Sequence, residues 1–359
     1  MATLKTTALL IFLALTSAVS IATDFNCTTQ PEGAFQPLKI AAGGLTATFI
    51  PYGATLTHLV FRDQEGKPRD VVLGWDDPFQ YCSNPQHTYF GATIGRVANR
   101  ISKCSFQVNG EDFKLPCNED GRDTLHGGTV GWDRRVWIVT SRNESAVTFA
   151  YSSPDGDMGF PSRVDATVTF AITPDACWTV EQRAKNAGNR ITPVAMTDHA
   201  YFNLNANINN ARTVLEHVLS MPDAKKLVNT TGYSNLPSGL VQEIPKGDPR
   251  DFWSEPKTIG LDINKTDNVS PLGGYDNAWI FGEYQSYTPG MTERASVCSP
   301  MTGISLKFST DQPSVQVYTG NNLNSTDPAL RLLRKASQIM GDAPQYCRLS
   351  LYTRLVIFY

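Results

Sequence analysis

Leu45-Thr-Ala-Thr-Phe-Ile50, Pro51-Tyr-Gly53 and Thr55-Leu-Thr-His-Leu-Val-Phe61 follow one another near the start of the chain, and their reading decides the fold class. Leu45 to Ile50 alternates side-chain types, the mark of a strand with one face turned inward. Pro51-Tyr-Gly53 interrupts it, because proline removes a ladder donor and glycine accepts turn geometry. Thr55 to Phe61 resumes the strand before the turn Asp63-Gln-Glu-Gly66. The pattern continues with Ser105-Phe-Gln-Val-Asn-Gly110 and Glu111-Asp-Phe-Lys-Leu115, a hairpin with Asn-Gly at its turn. Val136-Trp-Ile-Val139, Ala146-Val-Thr-Phe-Ala-Tyr151, Val164-Asp-Ala-Thr-Val-Thr-Phe-Ala-Ile172 and Cys177-Trp-Thr-Val-Glu-Gln182 extend the series. Strands at this spacing, with few helix-period segments and no repeat or linker, predict an all-β sandwich or barrel in one compact domain.

The chain has 359 residues, 41% hydrophobic and 18% charged, the composition of a soluble domain with a sizeable core. Its 31 Lys+Arg and 34 Asp+Glu give a formal net charge of −3. No basic block tracks a phosphate backbone, so nucleic acid is not an expected partner. Lys5, the apolar run Ala8 to Leu15 and the small residues of Ser17-Ala-Val-Ser-Ile-Ala22 read as a secretory signal peptide over 1–22. The run is too short to span a bilayer, and the expected product is a secreted protein without a membrane anchor after cleavage. Sequons begin at Asn26, Asn143, Asn229, Asn264, Asn268 and Asn324, which predicts a glycoprotein. Seven cysteines are widely spaced with no C-x-x-C pair, so no metal site is expected, and their pairing is left open.

Polar clusters sit inside this apolar sequence: Gly95-Arg-Val-Ala-Asn-Arg-Ile101, Leu125-His-Gly-Gly128 and Thr197-Asp-His-Ala-Tyr-Phe-Asn-Leu204. Histidine titrates near neutral pH, so one beside arginine, asparagine and tyrosine can donate a proton to a polar, uncharged substrate. Strand periodicity places His199, Tyr201 and Asn203 on one face and Ala200, Phe202 and Leu204 on the other. Asn99 and Arg100 offer planar donors and acceptors suited to hydroxyl-rich ligands. His126 precedes two glycines, where a backbone can approach a ligand closely.

The runs Phe90-Gly-Ala-Thr-Ile-Gly-Arg-Val-Ala-Asn-Arg-Ile101, Thr124-Leu-His-Gly-Gly-Thr-Val-Gly-Trp132, Asp198-His-Ala-Tyr-Phe-Asn-Leu204, Gly274-Tyr-Asp276 and Val315-Gln-Val-Tyr-Thr-Gly-Asn321 together resemble the aldose 1-epimerase (galactose mutarotase) family in order, spacing and residue type. The resemblance implies a large antiparallel β-sandwich over 23–345 that interconverts the α and β anomers of free aldohexoses such as galactose and glucose, without a cofactor and as a monomer. It implies His199 as the general acid on the ring oxygen, a glutamate as base on the C1 hydroxyl, and Asn99, Arg100, His126, Tyr201, Asp276 and Gln316 as the residues that hold the monosaccharide. Acid and base must be present in opposite protonation states, since one proton goes onto an ether oxygen while another leaves a hydroxyl.

The family's base glutamate follows the Gln-x-Tyr-Thr-Gly segment, whereas no glutamate follows Glu293 here. Residues 346–359 resemble nothing in the family and are set apart as an aberrant tail, with the C-terminal strands expected to be missing. Asp327 and Asp342 are the carboxylates available as substitutes. The alternative is a non-catalytic carbohydrate-binding protein. A glycoside hydrolase would need paired carboxyl groups flanking the scissile bond, and the conspicuous groups here are His, Asn and Arg instead.

Overall fold

The computed structural model describes residues 25–206, 213–231, 235–266, 274–282, 292–321 and 323, and the backbone alone of 349–353. The expected signal peptide, the sequons at Asn268 and Asn324, and Asp327 and Asp342 lie outside the described residues.

Alternation builds the core. In Val164–Ile172 every second side chain, from Val164 through Ala166, Val168 and Phe170 to Ile172, is buried, while the residues between them turn outward. This strand sits in a four-stranded antiparallel sheet with Ile138–Arg142, Ala146–Ser153 and Trp178–Asn186. The opening segment of the sequence forms the facing sheet, in the order Leu38–Ala42, Leu45–Ile50, Thr55–Arg62 and Pro68–Asp70. Phe49 from the first sheet meets Phe170 and Phe149 of the second at ring-centroid distances of 4.5 and 6.2 Å, which joins two layers into one core. A fully buried phenylalanine or valine contributes roughly 1.5–3 kcal/mol.

A six-stranded sheet carries the later motifs, in the order Tyr201–Phe202, Leu349–Thr353, Ser314–Tyr318, Asp276–Ile280, Lys226–Thr231 and Leu236–Glu243. The expected sandwich is thus present, and part of the segment set apart as a tail supplies the backbone of one strand. A further four-stranded sheet runs Lys257–Thr258, Val218–Ser220, Thr292–Cys298 and Ser305–Thr310. The Asn109-Gly110 hairpin forms as read, with φ of +51° and +81° at the two turn residues.

Two cysteine pairs close: Cys27 with Cys82, and Cys104 with Cys117. Among the described residues Cys177 and Cys298 are free. Among the described residues no helix is long and apolar enough to cross a membrane.

Candidate active site

The Gly95–Arg100 run is positioned by its own arginine. Arg96 is buried, and its guanidinium donates to the carbonyls of Ser153, Pro154, Pro161 and Ser162 and to the hydroxyls of Ser153 and Thr192. Burial lowers its pKa to about 10, which leaves it charged at neutral pH. This anchor fixes one side of the run, and Asn99 and Arg100 emerge from the other.

Asn99 and His126 hold each other. The Asn99 N–H donates to His126 Nδ1 at 3.0 Å, and the His126 N–H donates to the Asn99 carbonyl at 3.1 Å. An accepting Nδ1 assigns the proton of the neutral ring to Nε2. Both residues have positive φ, +66° for Asn99 and +52° for His126. The glycines after His126 pack closely on the protein: a Cβ on Gly127 would strike the Gly95 carbonyl, and one on Gly128 would press on Met158.

Arg100 turns to Glu119, with Nη2 at 2.8 Å and Nε at 3.2 Å from Oε1. The strand Leu236–Glu243 packs against the Arg100–Ile101 strand, so this ion pair borders the six-stranded sheet.

His199 is 3% exposed and is fixed through its backbone, its N–H donating to Ala92 and its carbonyl accepting from Gly91. The alternation read from the motif holds in the packing. Ala200, Phe202 and Leu204 join the main core, and Tyr201 joins a separate cluster with Trp75 and Phe90. The His199 ring stacks on Tyr201 at 5.1 Å and stands perpendicular to His126 at 5.1 Å. Asn203 is buried, and its Oδ1 accepts the Asn205 N–H in a local turn.

Burial pulls the His199 imidazole down to about 4, and the nearby Asp133 carboxylate pushes it the other way. His199 is therefore mostly neutral at pH 7. Asp198, just before it, is pushed up to about 7 by burial. The residue as a whole is half-buried, yet its Oδ2 is closed off without a hydrogen-bond partner among the described residues, and its Oδ1 accepts the Ala200 N–H.

Asp276 and Gln316 meet on the six-stranded sheet, where Gln316 Nε2 donates to Asp276 Oδ1 at 2.7 Å. Asp276 lies opposite Tyr318 in register, and Tyr318 is two residues beyond Gln316, so all three project from one face. The Tyr318 ring contacts Tyr201 at 6.1 Å, and Tyr201 stacks on His199. Aromatic contacts thus connect His199 to the strand face that carries the Asp276–Gln316 pair.

Several residues of this site carry no signal in the sequence pattern. Tyr89 stacks on His199 at 5.9 Å, meets His126 at 4.8 Å and packs on His87 at 4.2 Å. Burial pushes its phenol far above the usual tyrosine range, so it is a hydrogen-bond donor and not a base. His87 Nε2 donates to Asp133 Oδ2 at 2.6 Å, and Asp133 is buried. Tyr89 and His87 both have positive φ in an irregular loop where no periodicity marks them. Asn235, which donates to Asp276 Oδ2 at 2.9 Å, also lies outside every quoted motif.

The site can therefore offer a ring proton donor, a carboxylate with an amide beside it, and aromatic walls, a set suited to a small, neutral, hydroxyl-rich molecule. The sequence profile of the aldose 1-epimerase family matches residues 37–351. The chain is 34% identical to a probable aldose 1-epimerase of Arthroderma benhamiae, over 88% of this chain and 75% of the relative. It is 33% identical to an aldose 1-epimerase of Escherichia coli, over 82% of each chain. It is 32% identical to a galactose mutarotase of Homo sapiens, over 82% of this chain and 80% of the relative. Among solved structures it is similar to a GalM/aldose epimerase homologue from C. elegans, with a TM-score of 0.73 and 27% identity over 89% of both chains.

Proposed function

The chain belongs to the aldose 1-epimerase family, and we propose that it interconverts the α and β anomers of free aldohexoses such as galactose and glucose. The observation that carries this proposal is the buried His199 ring, set against His126, Tyr89 and Tyr201 and joined through Tyr318 to the Asp276–Gln316 pair.

In the proposed mechanism His199 gives a proton to the ring oxygen while a base takes one from the C1 hydroxyl. The ring opens, the C1–C2 bond rotates, and reclosure on the other face of the aldehyde inverts the anomeric centre. A single buried imidazole is poorly charged at neutral pH, and a backbone hydrogen bond and, after it, the Asp133 carboxylate favour its protonated form. Asn99, Arg100, His126, Tyr201, Asp276 and Gln316 are assigned to holding the sugar. Arg100 does so together with Glu119, whose carboxylate fixes the guanidinium.

We also propose secretion as a glycoprotein. The sequence from Lys5 to Ala22, the pairs Cys27–Cys82 and Cys104–Cys117, and the exposed sequon asparagines Asn143 and Asn264 support it. Polarimetry of freshly dissolved α-galactose or α-glucose tests the enzyme proposal. The expected result is equilibration faster than in buffer alone. Sugar binding without acceleration would replace the isomerase with a carbohydrate-binding protein, and neither binding nor acceleration would reject both.

A further inference from the structure

Asp276 opens the strand Asp276–Ile280, which lies between Ser314–Tyr318 on one side and Lys226–Thr231 on the other. Each of its carboxylate oxygens accepts one amide N–H. Gln316 reaches Oδ1 from the neighbouring strand at 2.7 Å, and Asn235 reaches Oδ2 at 2.9 Å from just before Leu236–Glu243, on the opposite flank. A carboxylate held at both oxygens cannot swivel about its Cβ–Cγ bond without losing both contacts. One held at a single oxygen can.

Two features of Asn235 bear on why an amide stands there. Its φ is +52°, a region that glycine, asparagine and aspartate enter most readily. Among the described residues its own buried Oδ1 has no hydrogen-bond partner. An unpaired buried acceptor is costly, and glycine would satisfy the backbone without that cost. The contact that favours the amide is therefore its N–H to Asp276.

We infer that Asn235 is a positioning residue of the sugar site, which with Gln316 clamps the Asp276 carboxylate so that it receives two neighbouring hydroxyls of one pyranose ring. The inference rests on the function proposed above. Each carboxylate oxygen has two acceptor directions. One on each is taken by an amide, and the remaining two lie in a fixed plane, a geometry suited to a vicinal diol.

Asn235→Gly and Asn235→Asp both tolerate the native φ and remove the donor. Mutarotation kinetics and calorimetric sugar binding on galactose and its monodeoxy analogues test the inference. For Asn235→Gly the expected result is a KM raised about 10-fold with kcat changed less than about 3-fold and Tm unchanged. The wild-type discrimination against the analogue lacking an Asp276-held hydroxyl should shrink in the same variant. Asn235→Asp sets two carboxylates together, so its KM defect should be larger at pH 7 and should recover as pH falls and one shared proton relieves the repulsion. An active wild type with KM and deoxy-sugar discrimination unchanged in both variants overturns the inference alone, as does a joint fall of kcat and Tm with discrimination intact. A wild type that neither binds nor interconverts hexose overturns the proposed function and this inference with it.

Discussion

The two halves of the candidate site are built by opposite means. The half that holds His199, His126 and Asn99 is made largely of turns, with His199 between the two-residue strands Thr197–Asp198 and Tyr201–Phe202. Tyr89, Asn99 and His126 all have positive φ, Gly127 lies against the Gly95 backbone, and buried Arg96 ties the run to the strand end at Ser153 and to Pro161. The half that holds Asp276 and Gln316 is made of paired strands in regular register. Irregular backbone can aim several side chains at one point, but it depends on single residues for its shape. Strand pairing shares its stability across many bonds, so one side chain can change while the fold persists. Under the proposed function, proton transfer falls to His199 in the first half, while hydroxyl binding is shared between Asn99 and His126 there and Asp276 and Gln316 in the second.

The largest effect should come from the anchor of the turn-built half. Arg96→Met leaves the carbonyls and hydroxyls that Arg96 now serves without a donor, and a loss of about 3–5 kcal/mol is expected. Denaturant unfolding checks it; a loss below about 1 kcal/mol would show that the turn does not depend on its arginine.

Next is the proposed acid. His199→Gln keeps a polar side chain of similar reach, and the rate of mutarotation should fall about 10²- to 10⁴-fold with stability held or improved. Asp133→Asn removes the negative charge that favours protonated His199, and its kcat should fall by a smaller factor, on the order of 10-fold. In the sheet-built half, Gln316→Leu should raise KM about 10-fold with little change in kcat or Tm. A Gln316→Leu variant that fails to fold would break the contrast between the halves.

The smallest expected effect concerns stability against pH. His199 and His217, both held at about 4 by burial, take up a proton less readily when folded than when unfolded. Unfolding therefore binds protons between their ordinary value near 6.5 and about 4, and stability falls as the pH drops through that window. Asp198, pushed up to about 7, works in the other direction. It stays protonated in the folded state above its ordinary carboxylate range, so stability falls as the pH rises from about 4 to 7. Asp198→Asn should therefore gain more Tm at pH 8 than at pH 4, measured by calorimetry. An equal gain at both pH values would show that burial does not perturb this carboxyl.

How much of this was legible follows the same division. Strands such as Val164–Ile172 announce themselves, because burial on one face imposes period two on the sequence. His199 and Tyr201 were readable for that reason, with Ala200 and Phe202 marking the opposite, core-facing side. Asp276 and Gln316 were legible only through the family motifs, since one strand residue does not reveal its neighbour across the sheet. Tyr89, His87 and Asp133 were not legible as a group. They meet through positive-φ turns that obey no period, and the ring of His87 reaches Asp133 across a separation of 46 residues. The two glycines after His126 were visible but not the Gly95 and Met158 atoms they meet, because a missing Cβ says that something comes close and not what it is. Disulfide partners were equally hidden, as spacing alone does not determine connectivity.

The most direct test is a side-by-side measurement of kcat and KM for α-galactose mutarotation in the wild type, His199→Gln and Gln316→Leu. A loss of kcat confined to the histidine variant, with a rise of KM confined to the glutamine variant, is the result expected of a turn-built proton donor facing a sheet-built hydroxyl site. Equal losses of kcat in both, or a histidine variant as fast as the wild type, would contradict that division.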